Sequence, residues 1–546
     1  MSHPPAPANR SAPAVLCLSV LVMAACGIVY ELGVAAVSSY LLGDSVRQFS
    51  VTIGLFMAAM GVGSAATRWI PDRSLLFGFV AAEVALAVVG GLSTTLLFFA
   101  FPVGGGGLYL PVMYALIGVI GALVGLEIPV VVRVLSGRGG LRRSVADALS
   151  FDYLGGLAGS LAFPLLMLPA LGLFRTAAAV GLCNAGVAGL TLLAFRREVG
   201  RPRLLAAATL LAAGLLVTTI AADAWITRHA EGALYAGRVV VREQSPYQRI
   251  TVTRDPRTGE HRLYLDGHVQ LAAFDEHRYH EALVHPAMAY RPPGTPGSPG
   301  APIAPPPARV LILGGGDGLA AREALRFPGV ASITLVDLDP AVTGLARSFP
   351  PLAALNAGSL DHPRVRVIHA DAFSFVRAAP SAAGFSPWDR VLIDLPDPHN
   401  EALAKLYSVE FFRLLRRVLA PGGALCVQSG SPWFTPRVFG CTGQTLAAAG
   451  FETVPFGVTV PAFGPWGFHL ATPPPEPPEA PEAPSASPPA EASFAWLPGA
   501  RFLTAGTFAS ARVFPPDVTP RSPGVNSLFD PILYTLYASD VRRARP

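Results

Sequence analysis

The first 230 residues are dominated by long uncharged runs, and that restricts what they can fold into. Seven apolar stretches fall at about 13–38, 50–70, 75–102, 107–135, 148–173, 176–195 and 204–226. Each is near the roughly 20 residues a helix needs to cross a bilayer. Most lack the polar face of a helix that packs on a soluble core. Residues 1–230 are therefore expected to be a multi-pass α-helical membrane domain of about seven helices, with the lipid bilayer as a partner. VMAAC (22–26) matches a lipoprotein cleavage site, but the apolar run continues through GIVYELGVAAV, which favours an uncleaved first helix.

Orientation follows from the arginines. Counted loop by loop, Arg10, Arg68, Arg73, Arg133, Arg138, Arg142, Arg143, Arg196, Arg197, Arg201 and Arg203 share one side, and Arg47 and Arg175 lie opposite. The positive-inside rule puts the first side in the cytoplasm. Seven passes would then carry the rest of the chain outside. Four acids, Glu31, Glu83, Glu127 and Asp152, lie in or beside the spans. They read either as a substrate path or as helix-packing hydrogen bonds.

The remainder has the composition of an ordinary globular chain. The net charge of +5 comes almost wholly from arginine, since Lys405 is the only lysine. No basic block with interleaved aromatics occurs, so nucleic acid is not an expected partner. Five cysteines without CxxC spacing point to neither disulfides nor zinc.

Residues 231–290 read as a small β-strand subdomain, with a hairpin formed by QRITVTRD, a PRTGE turn and RLYLDGHVQL, then a helix, DEHRYHEALVHPAM. A Pro-rich insertion (291–307) follows, then an α/β region (308–472), a second Pro-rich segment (473–497) and a tail (498–546) in which FDPILYTLY is helix-like. Within 308–472 the strands VLILGGGDG, SITLVDLD, RVRVIHADAF, RVLIDLPD and GALCVQSG alternate with helices. That alternation implies a mostly parallel, Rossmann-like sheet of the methyltransferase type.

VLILGGGDGLAAREAL (310–325) places Gly314, Gly316 and Gly318 between a strand and a helix, where an anion is usually bound. Asp317 lies inside that loop, and Asp337 ends the next strand, where such folds hold ribose hydroxyls. The bland alternative is a tight turn with no ligand. Asp317 would repel the carboxylate of S-adenosylmethionine but attract the cationic decarboxylated form. Asp371, Asp394 and Asp397 end further strands, so five carboxylates converge at one sheet edge. Each alone could be a helix cap or a solvated loop residue. Together they suit a site for an amine and a nucleoside sulfonium.

These residues resemble the spermidine synthase (polyamine aminopropyltransferase) family, in its multi-pass bacterial branch. The matching stretches are YQRITV (247–252), LYLDGHVQ (263–270), DEHRYHE (275–281), LILGGGDGLAARE (311–323), VDLDP (336–340), HADAF (369–373), IDLPDP (393–398) and TVPAFGPWGF (459–468). The resemblance implies transfer of an aminopropyl group from decarboxylated S-adenosylmethionine to an amine, putrescine being expected, with no metal or other cofactor. It implies Asp394 as the catalytic acid/base. It implies donor contacts from Gln248, Gly314, Gly316, Asp317, Asp337, Asp371 and Ala372, and acceptor contacts from Tyr279, His280 and Asp397. Leu395 and Pro396 between the paired aspartates, and Phe463 where the family often has Tyr, depart from the pattern and bear on the acceptor. The branch implies a bacterial inner-membrane location. A cytosolic donor implies a cytoplasmic catalytic domain, against the arginine count. A homo-oligomer is left open. Competing classes are a methyltransferase using the intact donor and a polyamine transporter or membrane sensor with a non-catalytic synthase-like domain.

Overall fold

The computed structural model describes residues 12–42, 45–101, 107–292, 308–474, 493–518 and 523–544. Most of the Pro-rich stretches expected at 291–307 and 473–497 lies outside them. The chain divides into two compact units, Met1–Ala236 and Gly237–Pro546.

The first unit is helical: α1 (Ala12–Leu42), α2 (Ser45–Ala66), α3 (Leu75–Ala100), α4 (Tyr109–Gly139), α5 (Leu141–Ala162), α6 (Leu168–Phe195), α7 (Pro202–Ala221) and α8 (Asp223–Leu234). Six stretches among the described residues are long and apolar enough to cross a membrane. The longest, Leu141–Phe195, has 55 residues. A straight helix of that length would run to about 80 Å, well beyond a bilayer. It is broken at Gly172, whose φ of 72° and ψ of −179° cannot continue a helix.

The two legs run opposite ways along α1. A side chain at Gly155 or Gly159 would strike the carbonyl of Leu21 or Ala25, so α5 is parallel to α1. On α6 the order reverses: Val180 accepts a hydrogen bond from Cys26, and Val187, Leu192 and Phe195 cluster with Leu16 and Val20. The division expected between 148–173 and 176–195 therefore falls at the break. Helices α2 and α4 close in the same way, with Gly63 against the Ala122 carbonyl and Gly125 against that of Met60.

The second unit opens with a four-stranded antiparallel meander: β1 (Arg238–Gln244), β2 (Arg249–Arg254), β3 (His261–Leu265) and β4 (His268–Ala272). The expected single hairpin is thus only part of the sheet. RLYLDGHVQL is two strands, because Asp266 and Gly267 take φ of 47° and 81° in the tight turn that Asp-Gly favours. Strand β1 was not anticipated.

Next come α9 (Glu276–Ala289) and a short β5 (Tyr290–Arg291). The main sheet and its helices follow: β6 (Ala308–Gly314), α10 (Leu319–Leu325), β7 (Val330–Asp337), α11 (Pro340–Ser348), α12 (Pro350–Leu355), β8 (Val365–His369), α13 (Ala372–Ala378), β9 (Trp388–Asp394), α14 (Glu401–Ala404), α15 (Val409–Val418), β10 (Leu419–Gln428), α16 (Pro436–Ala448), β11 (Glu452–Val460) and β12 (Gly464–Thr472). The tail adds β13 (Ser493–Phe494), which pairs with β5, then α17 (Ala505–Ala511) and α18 (Ile532–Ala544).

The seven strands lie in the order β11-β12-β10-β9-β6-β7-β8. Strands β10 to β8 are parallel, and β11 and β12 are antiparallel. The centre reads as continuous apolar runs because helices cover both faces: Val310 to Leu313 and Val391 to Ile393 have no exposed surface. The strand order reverses between β6 and β9, and there Gly314 is in register with Asp394. A crevice at such a switch point is where α/β sheets bind ligands.

Candidate active site

The crevice is a cavity of about 610 Å³ lined by every donor, acceptor and catalytic residue that the resemblance implied: Gln248, Tyr279, His280, Gly314, Gly316, Asp317, Asp337, Asp371, Ala372, Asp394 and Asp397. Its size suits a nucleoside with an extended chain.

The glycine loop is shaped by close approach. A Cβ at Gly314 would lie 2.0 Å from the Asp394 carbonyl oxygen, and one at Gly316 would lie 2.5 Å from Asp337 Oδ2. Only glycine admits the two acids this close to the loop. Gly316 N–H donates to Asp337 Oδ2 at 2.9 Å, and Asp339 N–H donates to Oδ1 at 2.8 Å. Burial nevertheless pushes the Asp337 carboxyl up to about 6. Asp317 accepts from the N–H of Leu319, the first residue of α10, at 2.9 Å.

Asp394 ends β9. Tyr279 on α9 donates to its Oδ1 at 2.8 Å. Burial, and then the neighbouring charge of Asp317, raise this carboxyl to about 6. Tyr279 was expected to orient the acceptor amine, and its hydroxyl also fixes the expected catalytic acid.

His280 is fully enclosed, with Nδ1 against the Glu276 carbonyl at 2.8 Å and Glu276 Oε2 at 3.0 Å. Its ring lies with Asp317 and Asp394, all ligand atoms within 4.8 Å of one another. Burial works against its charge, but Glu276, Asp317 and Asp394 outweigh burial and raise its pKa to about 9. His280 was expected to hold the distal ammonium, and its raised pKa places a positive charge among these acids. It balances two carboxylates. Glu276 is itself gripped by Arg322 at 3.0 and 2.9 Å.

The five acids do share one cavity, but they are not five equal charges. Asp371 pairs with Lys405 at 3.0 Å and caps α13 through Ser374 N–H. Burial tends to raise its pKa, yet those two contacts bring it below the usual value. Gln248 donates to Asp339 Oδ2 at 3.0 Å, and Ser245 donates to the same oxygen at 2.6 Å. Asp397 is half-buried, and its Oδ1 is enclosed and unpartnered among the described residues. Burial raises it to about 6, against hydrogen bonds from Gln428 and Tyr537.

Sequence reasoning missed Glu276, Asp339, Gln428 and Tyr537. The VDLDP and DEHRYHE stretches already contained Asp339 and Glu276, and Gln428 and Tyr537 carry no local signal. The residues expected to contact donor and acceptor line this common space.

Comparison with known proteins follows this geometry. Residues 276–477 match the spermine/spermidine synthase domain. The chain is 44% identical over 97% of its length to polyamine aminopropyltransferase 1 of Streptomyces coelicolor, covering 95% of that protein. It is 40% identical over 95% of its length to the polyamine aminopropyltransferase of Mycobacterium tuberculosis, covering 94% of that protein. The crystal structure of spermidine synthase from Thermotoga maritima is 26% identical, with a TM-score of 0.36 over 43% of this chain and 72% of that one. An enzyme that moves an aminopropyl group from decarboxylated S-adenosylmethionine needs the buried carboxylates and glycine loop found here, and the chain belongs to the spermine/spermidine synthase family of polyamine aminopropyltransferases.

Proposed function

We propose that this aminopropyltransferase uses a short diamine, putrescine, as acceptor, and that Asp394 stands beside the attacking nitrogen. The observation that carries this reading is the place of Asp394, between the glycine loop with Asp317 and the half-buried, partly unpartnered Asp397. Asp317 takes the donor's aminopropyl ammonium, and Asp337 takes the ribose hydroxyls. Gln248, Gly314, Gly316, Asp371 and Ala372 line the nucleoside part.

The neutral amine attacks the methylene beside the sulfonium. The carbon–sulfur bond breaks, its electron pair stays on sulfur, and methylthioadenosine leaves as a neutral thioether. The step therefore needs no Lewis acid. Most of the acceleration comes from alignment of the two substrates. Asp394 supplies negative charge next to the nitrogen as it becomes positive, and accepts the released proton. Tyr279 holds that carboxyl in place, and the His280 cation limits repulsion between Asp394 and Asp317. Asp397 takes the acceptor's distal ammonium.

The apolar legs of the first unit support a multi-pass position in a bacterial inner membrane. The catalytic unit is assigned to the cytoplasm, because a multiply charged donor does not cross an apolar barrier. Fluorescence from a C-terminal green fluorescent protein fusion is the expected result, and activity of a C-terminal alkaline phosphatase fusion would overturn the assignment.

The acceptor is tested in detergent with decarboxylated S-adenosylmethionine and putrescine, cadaverine or spermidine. Methylthioadenosine release that depends on the amine and is lost in Asp394→Asn is expected. Release with spermidine but not putrescine would overturn the diamine assignment.

A further inference from the structure

The tail after residue 498 has no role in the reading above, and the family match ends at residue 477. Yet the tail is built firmly into the catalytic unit. Asn526 is fully buried and hydrogen-bonds in several directions: its N–H donates to Thr445 Oγ1 at 3.0 Å, its Nδ2 to the Ala404 carbonyl at 2.9 Å, and its carbonyl accepts from Val409 N–H at 2.9 Å. Leu533, the second residue of α18, has no exposed surface and joins the core around Phe411 and Leu415. Further along, Asp540 is 4% exposed and accepts from Arg437 of α16, through the backbone N–H at 3.1 Å and Nε at 2.6 Å. A helix docked by a buried ion pair and a buried Asn is held in a fixed register.

That register points one face of α18 at the cavity. Tyr537 and Val541, one turn apart, both line it. The Tyr537 hydroxyl shares in the hydrogen bonding of Asp397, and its ring lies 6.4 Å from that of His399. His399 in turn stacks on His268 at 5.0 Å. Asp397 thus has one oxygen unpartnered among the described residues and a tyrosine from the far end of the chain beside it.

We infer that α18 forms a wall of the acceptor end of the cavity, and that Tyr537 is a specificity-determining residue that orients Asp397 and limits the length of the amine. The inference rests on the reading that Asp397 holds the acceptor's distal ammonium. An ammonium bound to Asp397 lies against the phenol, so the distance from Asp394 to this wall sets how many methylenes fit between the two nitrogens. Removing the ring lengthens the slot. Removing only the hydroxyl loosens Asp397 without lengthening it.

The full chain in detergent is assayed with putrescine, cadaverine and spermidine as separate acceptors, and KM is measured for donor and acceptor. In Tyr537→Phe the acceptor KM is expected to rise about tenfold, the loss of one hydrogen bond to a charged group, with donor KM unchanged. In Tyr537→Ala the ratio of kcat/KM for cadaverine to that for putrescine is expected to rise by about tenfold, the scale of one methylene in a shaped pocket. Thr535→Ala, on the exposed face of α18, serves as control and should keep both ratios. If Tyr537→Ala does not fold, the Tyr537→Phe split between donor and acceptor KM decides. Equal rises in donor and acceptor KM, or acceptor ratios unchanged in both variants, would overturn the inference while leaving the wild-type activity intact. Absence of release by the wild type with every diamine would overturn the acceptor reading beneath it, and this inference with it.

Discussion

Both units bury carboxylates, and they treat them differently. In the catalytic unit a buried acid either has a named partner, as Glu276 has Arg322 and His280, or faces the cavity, as Asp394 and Asp397 do. In the helical unit Glu83 is fully buried, and neither of its carboxylate oxygens has a hydrogen-bond partner among the described residues. Glu127 is 4% exposed, and its Oε1 is likewise unpartnered. Burying a carboxyl without partners costs free energy, so its position asks for a reason in either unit. In the catalytic unit the proposed reason is a cationic pair of substrates. The comparison implies that activity depends steeply on the acids of one unit and little on those of the other.

The largest expected effect is at Asp394. Asp394→Asn keeps the shape and the capacity to accept from Tyr279 but removes the charge that the proposed mechanism sets beside the attacking nitrogen. Turnover is expected to fall by about 10²- to 10⁴-fold, followed as methylthioadenosine release at saturating amine. A fall of less than tenfold would take Asp394 out of the chemistry. Asp317→Asn should act on binding instead. Loss of one charged hydrogen bond, about 1.5–3 kcal/mol, raises the donor KM roughly 10- to 150-fold with little change in kcat. An equal loss in kcat would place Asp317 in the transition state.

How much of this was legible follows from distance along the chain. The glycine loop, Asp337 and IDLPDP were legible because each lies on one strand end, and a parallel sheet brings strand ends together. The helices flanking β6 and β9 were legible from the alternation of strand-like and helix-like stretches. What failed was pairing between distant residues. Asp371 reads as a free acid until Lys405, 34 residues on, closes on it. The contact of His280 with Glu276, one turn back, and of Glu276 with Arg322, 46 residues beyond it, is not announced by their neighbours in sequence. Tyr537 gave no signal, since a tyrosine in a helix-like tail is commonplace. The split of LYLDGHVQ could have been read, because Asp-Gly between alternating residues is a strong hairpin signal.

A smaller effect comes from pH. Asp394, Asp397 and Asp337 are each raised to about 6, so they become anionic only above that value. They interact, and the cavity titrates as a set rather than as single residues. kcat/KM should fall below about pH 6, by roughly tenfold per unit where one proton dominates. His280 gives the opposite window. Its folded pKa of about 9 lies above its ordinary 6.5, so its stabilising charge is fully present below 6.5 and is lost as pH rises through 9. Unfolding midpoints of wild type and His280→Gln should therefore converge between pH 7 and 9.5. A constant gap would mean His280 is neutral throughout.

The smallest expected effect tests the other half of the comparison. Glu83 on α3 and Glu127 on α4 belong to a unit whose close packing rests on small residues, as where Gly90 receives the Tyr30 ring. Glutamine has the shape of glutamate without its charge, so Glu83→Gln and Glu127→Gln should leave that packing intact. If the helical acids serve only their own unit, turnover in detergent stays within about twofold, and the unfolding midpoint does not fall. If either variant cuts turnover more than tenfold while the donor still binds, the separation drawn here breaks. The buried acids of the helices would then share the chemistry of the cavity, and the fusion of the two units would have a catalytic reason rather than one of location.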